Sequence, residues 1–300
     1  MSKQHPIISV TGSSGSGTST VRRAFQDLFR RLNIQAAWVQ GDGFLRYERD
    51  SMRAKIESAT ATGQCFSHFS PQAYHLDKLD ALLQQYGASG TGSTRNYAHD
   101  DAESARYGAA PGTFNDWHAL PADSDMLFYE GHHGATSTPA TAHAPAIRIA
   151  EQADLLLGIT PSINLEWIQK IQHDCGRTGC GEQYVIDTIL HRMPDYVNHI
   201  VPQFARTHIN IQRVPLVDTS HPFIARDIPK ADESIVVIHF RQPEKFNFPN
   251  LLKKLAGAHM TRRNTMLVPG GKMILAIETI CTPLIAEMMA QRAQVDCAGD

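Results

Sequence analysis

The stretch Val10-Thr11-Gly12-Ser13-Ser14-Gly15-Ser16-Gly17-Thr18-Ser19-Thr20 decides how the rest of this chain is interpreted. It follows a short apolar run at 7–10, which predicts a buried strand, and precedes apolar residues at helical spacing over 21–32. A strand, a glycine-rich loop and a helix together form the context that a phosphate-binding loop requires. The segment from Gly12 to Ser19 fits the pattern G-x-x-x-x-G-K-[ST] except at Thr18, which replaces the lysine.

This pattern predicts that backbone N–H groups of the loop bind phosphate oxygens and that the Ser19 hydroxyl is available to Mg²⁺. The competing interpretation is an ordinary turn and helix cap at Ser13 and Ser14. Glycines in the right register after a strand favour phosphate binding. We therefore expect ATP phosphates to contact Gly12, Ser13, Ser14, Gly15, Ser16, Gly17, Thr18, Ser19 and Thr20.

Composition narrows the class of protein. The chain has 300 residues, 42% of them hydrophobic and 19% charged, with a net charge of −2. This balance argues against a general nucleic-acid or membrane-surface binder. No apolar run approaches a membrane span in length, and the N-terminus lacks the apolar core of a signal peptide. We expect a cytoplasmic protein with neither a nucleic-acid nor a membrane partner.

Cysteine and histidine spacing gives little support to a metal centre. The 5 cysteines include no close CxxC pair, so free thiols in a reducing compartment are expected. A metal or redox pair of Cys175 with Cys180 is the weaker alternative. His132, His133 and His143 lack the spacing of a known metal framework.

Asp42 is the predicted catalytic base. It follows a predicted strand at 36–40, at the edge of the sheet where open α/β folds bind ligands. A carboxylate there can accept the proton of an attacking hydroxyl, although a turn aspartate between glycines is the alternative. Downstream, Arg46, Arg49 and Arg53 form either a solvated helix face or a site for an anionic substrate.

Residues 55–90 are predicted to be helical, and residues 86–121 to be a long loop. The loop contains the polar and aromatic segment 95–101, which suits a substrate lid and includes Tyr97 and His99. A solvent-exposed loop without a catalytic role is the competing interpretation.

Two further groups complete the predicted site. Glu130 lies at the end of a predicted strand at 126–131, a position from which a carboxylate can contact the water shell of Mg²⁺. The alternative is an ordinary buried strand that ends in Glu. Lys170 and Asp174 share one face of a predicted helix beginning at 163. One interpretation is a surface ion pair, which would contribute little to stability. In the functional interpretation, Lys170 replaces the missing lysine of the phosphate loop and Asp174 assists the metal or the substrate.

The remaining pattern alternates strands with helices. We predict strands at 155–159, 209–217, 235–240 and 265–268, and helices at 183–193, 251–256 and 272–292. This order predicts an α/β fold with a mostly parallel sheet and helices on both faces. Without an internal repeat or a clear linker, one domain over 1–300 is expected.

With these elements placed, the chain resembles the bacterial type of phosphoribulokinase, within the uridine kinase/phosphoribulokinase superfamily of P-loop kinases. The motifs that carry the resemblance are GSSGSGTST at 12–20, GD at 41–42, FSHFS at 66–70, FYEGHHG at 128–134, NLEWIQKI at 164–171, PQF at 202–204 and RVPLVDTS at 213–220. The resemblance implies a nucleotide-kinase-like P-loop fold. It also implies transfer of phosphate from MgATP to the 1-hydroxyl of ribulose 5-phosphate, for carbon fixation in the Calvin cycle.

The resemblance also implies roles for individual residues. Asp42 would deprotonate the sugar hydroxyl, and Lys170 would neutralise charge on the transferring phosphate. Ser19, Glu130 and Asp174 would surround Mg²⁺. Arg49 would hold the 5-phosphate of the sugar. Tyr97 and His99, from the polar segment 95–101, and Arg177 are the further residues expected to bind substrate.

The chain departs from the family pattern at three positions. Leu45 stands in place of a histidine that contacts phosphate. His173 replaces an arginine that aids transition-state charge, and a histidine can donate a hydrogen bond but lacks the permanent charge of an arginine. Thr178 replaces a second arginine, with Arg177 one step early. The leading interpretation remains a phosphoribulokinase. Leu45 and His173 favour the alternative of a P-loop kinase for another pentose phosphate or a nucleoside. A weakly active nucleotide-binding regulator is a third interpretation, against which the retained Asp42, Lys170 and Asp174 speak.

For regulation, the resemblance implies a homo-oligomer, an octamer in bacterial members, activated by NADH and inhibited by AMP. Arg31 and Arg262 match arginines of the effector site, whereas His239 replaces a third. Ser16 in the phosphate loop replaces the cysteine of the plant-type thiol switch.

Overall fold

The computed structural model describes residues 4–13, 18–142, 145–160, 162–178, 181–224 and 227–298. Side chains are described except at 18–19, 177–178 and 295–298 within those ranges. The strands of the main sheet are β1 (Ile7–Gly12), β2 (Ala36–Gln40), β3 (Met126–Gly131), β4 (Leu155–Ile159), β5 (Ile209–Pro215), β6 (Ser234–Phe240), β7 (His259–Arg262) and β8 (Thr265–Pro269).

The helices alternate with these strands along most of the chain. They are α1 (Thr18–Leu32), α2 (Arg49–Ala61), α3 (Leu76–Ser89), α4 (Asp101–Tyr107), α5 (Ile149–Gln152), α6 (Ile163–Thr178), α7 (Glu182–Asp195), α8 (Phe248–Lys254) and α9 (Met273–Ala298). A 3₁₀ turn at Gly41–Phe44 follows β2, and a π-helical segment at Tyr196–Ile200 follows α7.

The 8-stranded sheet has the order β7-β8-β6-β5-β4-β1-β3-β2. From β2 to β5 every neighbouring pair is parallel, and from β5 to β7 every neighbouring pair is antiparallel. The prediction of an α/β fold with a mostly parallel sheet is confirmed. The strand β7 was not predicted, because its residues are mostly exposed and mostly polar and lack the apolar run typical of a buried strand.

Apolar residues cover both faces of the parallel half of the sheet. On β3, Met126 and Phe128 pack in the cluster that contains α1 and α9, whereas Leu127 and Tyr129 pack in the cluster that contains α3. This burial on both faces explains why β1 and β3 are continuous apolar runs. On β6, buried and less buried residues alternate, as expected where one face is covered more than the other.

Two predicted segments differ from the structure. Residues 55–90 form the end of α2 and the whole of α3, separated by residues 62–75. Gly63, at a φ of 70°, follows the end of α2 in a left-handed conformation that favours glycine. The predicted loop at 86–121 contains α4 and a short antiparallel pair of Ser93–Thr94 with His118–Ala119. Asp100 caps α4 by accepting a hydrogen bond from the Glu103 N–H.

One helical stretch, Gly270–Gln294, is long and apolar enough to cross a membrane by length and composition. This finding corrects the expectation that no apolar run reaches that length. Its buried residues Ile277, Ile280 and Ile285 lie in the same apolar cluster as α1, so the core of the protein accounts for much of this hydropathy.

Candidate active site

The predicted functional residues converge at the carboxyl edge of the parallel strands. A cavity at this edge is lined by Gly12, Ser13, Gln40, Gly41, Asp42, Glu130, Gly131 and His132. The register places Val10, Gln40 and Glu130 side by side, since β3 pairs with both β1 and β2. The start of the phosphate loop, the predicted base and the predicted metal acid therefore share one cavity.

The phosphate loop lies only partly within the described residues. Gly12 ends β1 and Ser13 follows it, buried, with its hydroxyl near the Glu166 carboxylate. Ser14, Gly15, Ser16 and Gly17 lie outside the described residues, as do the side chains of Thr18 and Ser19. The backbone of α1 begins at Thr18 and includes Thr20, so the loop leads directly into a helix N-terminus, the position that favours phosphate. Phosphate binding by these residues stays a prediction.

Asp42 contacts His99 across the mouth of the cavity. His99 Nε2 lies 3.0 Å from Asp42 Oδ2 and donates to that oxygen, because an ionised carboxylate only accepts. Burial raises the pKa of Asp42, but the hydrogen bond and the charge of His99 outweigh burial and lower the pKa to about 2. The Asp42 side chain remains 36% exposed, so a substrate hydroxyl can reach it.

Arg49 and Tyr97 lie next to this pair. The Arg49 guanidinium donates to the backbone carbonyl of His99 at 2.7 Å, and it interacts with the Tyr97 hydroxyl. The Tyr97 and His99 rings are 4.7 Å apart, edge to face. The structure thus brings together four predicted residues: Asp42, Arg49, Tyr97 and His99. Their distribution between base and substrate-binding roles stays a prediction.

Arg46 and Leu45 do not join this cluster. Arg46 donates to the Tyr74 carbonyl at 2.8 Å and pairs with Asp77 near the start of α3. The Leu45 side chain is 5% exposed and packs in the apolar cluster with Phe44. The departure at position 45 therefore adds an apolar side chain to the core, and Arg49 is the basic residue of this segment that reaches His99.

Lys170 and Asp174 form the predicted pair on α6. Lys170 Nζ lies 2.5 Å from Asp174 Oδ2, and His173 Nδ1 lies 3.0 Å from the other carboxylate oxygen. Burial lowers the pKa of Lys170, and nearby Arg192 lowers it further. For Asp174, Lys170 and His173 outweigh burial and lower the pKa. The side chains of Arg177 and Thr178 lie outside the described residues, so the substrate-binding prediction for Arg177 stays untested.

Glu130 fits a magnesium site that relies on substrate phosphates. Within the described part of the chain, no group of three or more His, Cys, Asp or Glu residues is arranged to hold a metal ion. Mg²⁺ usually keeps several waters and takes one or two carboxylates plus substrate phosphate oxygens. A carboxylate in a cavity beside the phosphate loop meets that need, so the donor set is compatible with Mg²⁺. Metal binding by Ser19, Glu130 and Asp174 stays a prediction.

The expectation of free thiols is tested for three of the five cysteines. Among the cysteines whose side chains the structure describes, Cys65, Cys175 and Cys281 form no disulfide. Cys180 and the Cys297 side chain lie outside the described residues. Burial raises the pKa of the Cys281 thiol to about 12, which makes this cysteine unreactive at neutral pH.

Several buried polar residues near the cavity received no role from the sequence. Gln203, 1% exposed, donates to the carbonyls of His132 and His199 at 2.8 Å each and accepts from the Ala135 N–H at 3.0 Å. His132 Nδ1 lies 2.9 Å from the Tyr74 hydroxyl. The motifs PQF and FYEGHHG contained Gln203 and His132, but single polar residues in apolar motifs do not reveal their partners.

A buried ion pair links α6 to α7. Arg192 lies 3.3 Å from Glu166, and their side chains are 8% and 3% exposed. Burial raises the pKa of Glu166, while Arg192 and the Ser13 hydroxyl oppose that rise. Through Ser13, Glu166 also connects the start of the phosphate loop with α6, the helix that carries Lys170.

This chain is similar to known proteins in sequence and in fold. The sequence profile described as "Phosphoribulokinase / Uridine kinase family" matches residues 7–220. The chain belongs to this family. It is 50% identical over 293 residues to the phosphoribulokinase of Nitrobacter vulgaris, covering 97% of this chain and 99% of the relative. Phosphoribulokinase 1 of Cereibacter sphaeroides is 51% identical over 292 residues, with the same coverage.

A solved structure supports the same assignment. The phosphoribulokinase from Rhodobacter spheroides superposes with a TM-score of 0.86 at 48% identity, covering 97% of this chain and 100% of that chain. At this identity over nearly the whole chain, this family member is a phosphotransferase that acts on an alcohol group.

Two of the residues matched to an effector site, Arg31 and His239, do not lie together within one chain. Arg31 pairs with Glu278 of α9 at 2.9 Å, on the face of the sheet that α1 covers. His239 lies 2.9 Å from Asn264 and alternates with Ile238 and Phe240, which point into that covered face. His239 therefore lies on the opposite face from Arg31.

Proposed function

We propose that this protein transfers the terminal phosphoryl group of ATP to the 1-hydroxyl of ribulose 5-phosphate, giving ribulose 1,5-bisphosphate and ADP. The observation that supports it best is the partly exposed Asp42 carboxylate, which is bonded to His99 and lies in the same cavity as Ser13 and Glu130. Relatives about 50% identical along nearly the entire chain carry the name phosphoribulokinase.

Asp42 accepts the proton of the 1-hydroxyl as the oxygen attacks the terminal phosphorus. The low pKa of Asp42 keeps the carboxylate ionised at neutral pH, so no prior deprotonation is needed. The bond from the terminal phosphorus to the bridging oxygen breaks, and ADP leaves. Positioning and charge stabilisation supply most of the catalysis in such transfers.

Other residues hold the two substrates. Arg49, with Tyr97 and His99 beside it, binds the 5-phosphate of the sugar, because a guanidinium matches phosphate geometry with two donors. Lys170 takes the role of the loop lysine and neutralises charge on the transferring group. Glu130, Asp174 and Ser19 would hold Mg²⁺, which supplies charge neutralisation at the phosphates when it is bound.

The experiment that tests this function compares acceptors. ADP release from MgATP is measured with ribulose 5-phosphate, ribose 5-phosphate, xylulose 5-phosphate and uridine, and ³¹P NMR identifies the product. We expect a clear preference for ribulose 5-phosphate. Preference for another acceptor would establish the alternative kinase and make Leu45 and His173 the first specificity positions to examine. ATP binding without turnover of any acceptor would indicate a nucleotide-binding regulator.

We also propose that the protein is a cytoplasmic homo-oligomer with NADH and AMP as effectors. Because Arg31 and His239 lie on opposite faces of the sheet, an effector site that uses both would need residues from more than one chain. Light scattering gives the oligomeric state, and turnover with and without NADH and AMP tests the effectors.

A further inference from the structure

The turn that carries Asp42 packs directly against the backbone of Arg95. A Cβ atom added at Gly43 would lie 2.0 Å from the Arg95 carbonyl oxygen and 3.0 Å from its carbonyl carbon. No side chain fits in that space, so Gly43 permits two backbone segments to touch. These segments are the 3₁₀ turn at Gly41–Phe44 and the start of the polar segment 95–101.

The Arg95 side chain then returns to the same turn. Its Nε donates to the Gly43 carbonyl at 2.7 Å, and one terminal nitrogen donates to the Leu45 carbonyl at 2.6 Å. The guanidinium carbon lies 3.7 Å from the centre of the Phe114 ring and 4.9 Å from that of Trp117. Burial lowers the pKa of Arg95, but a guanidinium stays charged at neutral pH.

This geometry uses properties that lysine lacks. Two donors in one plane reach two carbonyls on the same turn while the flat face of the guanidinium stacks on an aromatic ring. Hydrogen bonds from a charged donor are about twice as strong as neutral ones. Arg95 therefore fixes the position of the Asp42 turn relative to its own backbone.

The same segment carries the partners of Asp42. Tyr97 and His99 follow Arg95 at alternate positions, and His99 is the residue that contacts Asp42. We propose that Arg95 is a positioning residue that sets the distance and angle between Asp42 and the Tyr97–His99 edge of the sugar-phosphate site. Arg95 has no assigned contact with substrate, and its effect passes through the turn and through His99. This inference rests on the proposed function.

The first test compares kinetic parameters of Arg95→Lys and Arg95→Met with those of the unmodified protein. A misplacement of about 1 Å in an active site costs roughly 100-fold in rate. We expect kcat to fall by roughly 10- to 100-fold and the KM for ribulose 5-phosphate to rise, whereas the KM for ATP stays near its original value. We expect ATP binding to be spared because the phosphate loop follows β1 in the chain, whereas Arg95 contacts the Asp42 turn. Arg263→Lys, on the exposed turn between β7 and β8, is the matched control and should leave all three unchanged.

Gly43→Ala tests the same contact from the other side. It should produce the same separation of kcat and sugar-phosphate KM from ATP KM, and combining it with Arg95→Lys should add little further loss. Unchanged kinetics in both variants would overturn the proposal. So would a loss of kcat with both KM values unchanged, which is what a reduced folded fraction produces.

A measurement without turnover separates this proposal from the proposed function. The pKa of the Asp42 carboxyl is followed by ¹³C NMR in the unmodified protein and in Arg95→Lys. Weakening the His99 contact should raise the Asp42 pKa from about 2 towards its ordinary value of 3.8. An unchanged Asp42 pKa in a folded variant would overturn the positioning role, whichever acceptor the enzyme prefers. Failure of the proposed function, in contrast, would appear in the unmodified protein as a lack of ribulose 5-phosphate turnover.

Discussion

Two charged pairs carry the proposed chemistry, and the fold assembles them in different ways. Asp42 and His99 are separated by 57 positions in the chain, and their side chains meet at 3.0 Å. Lys170 and Asp174 are 4 positions apart on α6 and meet at 2.5 Å. The first pair exists only when β2, the Asp42 turn and the 95–101 segment are packed together, whereas the second requires only a helix.

The two pairs also differ in exposure. The side chains of Asp42 and His99 are 36% and 40% exposed, while that of Lys170 is 12% exposed. Burial and the neighbouring charge of Arg192 lower the pKa of Lys170. Because the side chain is buried, water screens its charge only weakly. From this comparison we propose that the long-range pair, Asp42 with His99, positions the substrate, and that the local pair, Lys170 with Asp174, supplies charge at the phosphates.

The largest effect is expected when the base itself is removed. Asp42→Asn keeps the size of the side chain and removes its ability to accept a proton. We expect kcat to fall by roughly 100- to 10,000-fold, the range for loss of general-base catalysis, while ATP binding measured by calorimetry stays near its original value. Asp232→Asn, at an exposed position outside the cavity, is the control. Unchanged turnover would show that Asp42 is not the base.

The same two pairs show which contacts of the site the sequence could predict. The positions of Asp42 and Glu130 were predictable because each follows an apolar run that forms a parallel strand, and parallel strands end at one edge. The Lys170–Asp174 contact was predictable from helical spacing. The contact of Asp42 with His99 was not, because the segment 95–101 has no periodicity that fixes where it packs.

The fold shows the same limit. The strands of the parallel half were predicted closely, because burial on both faces produces continuous apolar runs. β7 was missed, since its four residues are mostly polar and their pairing with β8 is a long-range property of the sheet edge. The two hydrogen bonds of Arg95 to backbone carbonyls could not be predicted either. They require the backbone at Arg95 to lie against Gly43, and no sequence pattern indicates that contact.

A second, smaller effect should follow from removing the local pair's cation. Lys170→Met keeps the aliphatic length and removes the charge from beside the phosphates. Loss of one group that stabilises transition-state charge costs about 100- to 1,000-fold in kcat, and we expect that range here with little change in the KM for ribulose 5-phosphate. Lys253→Met, on the exposed end of α8, serves as the control. A raised sugar-phosphate KM with normal kcat would instead place Lys170 on the sugar side.

A third prediction concerns pH. The folded-state pKa of Asp42, about 2, lies below its ordinary value of 3.8, so ionised Asp42 stabilises the fold above pH 3.8. This contribution is lost as the pH falls from 3.8 towards 2. His99→Phe removes the donor and should raise the Asp42 pKa in NMR titrations. The pH range over which the stabilising contribution of Asp42 is lost would then be narrower. His259→Phe, at an exposed position on β7, is the control. An Asp42 pKa that stays near 2 in His99→Phe would show that other groups hold it low.

The smallest expected effect is the contribution of the local pair to stability. The free energy of unfolding is measured in urea for Lys170→Met, Asp174→Asn and the double variant, which isolates the pairwise coupling. Exposed helical pairs at this spacing contribute about 0.3–0.5 kcal/mol. Because the Lys170 and Asp174 side chains are only 12% and 29% exposed, we expect a larger coupling here, about 1 kcal/mol. The same variants should lose much more in activity than in stability. A coupling of several kcal/mol together with mild kinetic effects would contradict the catalytic role of Lys170 and Asp174. These two residues would then mainly stabilise α6, and the residues around Asp42 would carry the chemistry.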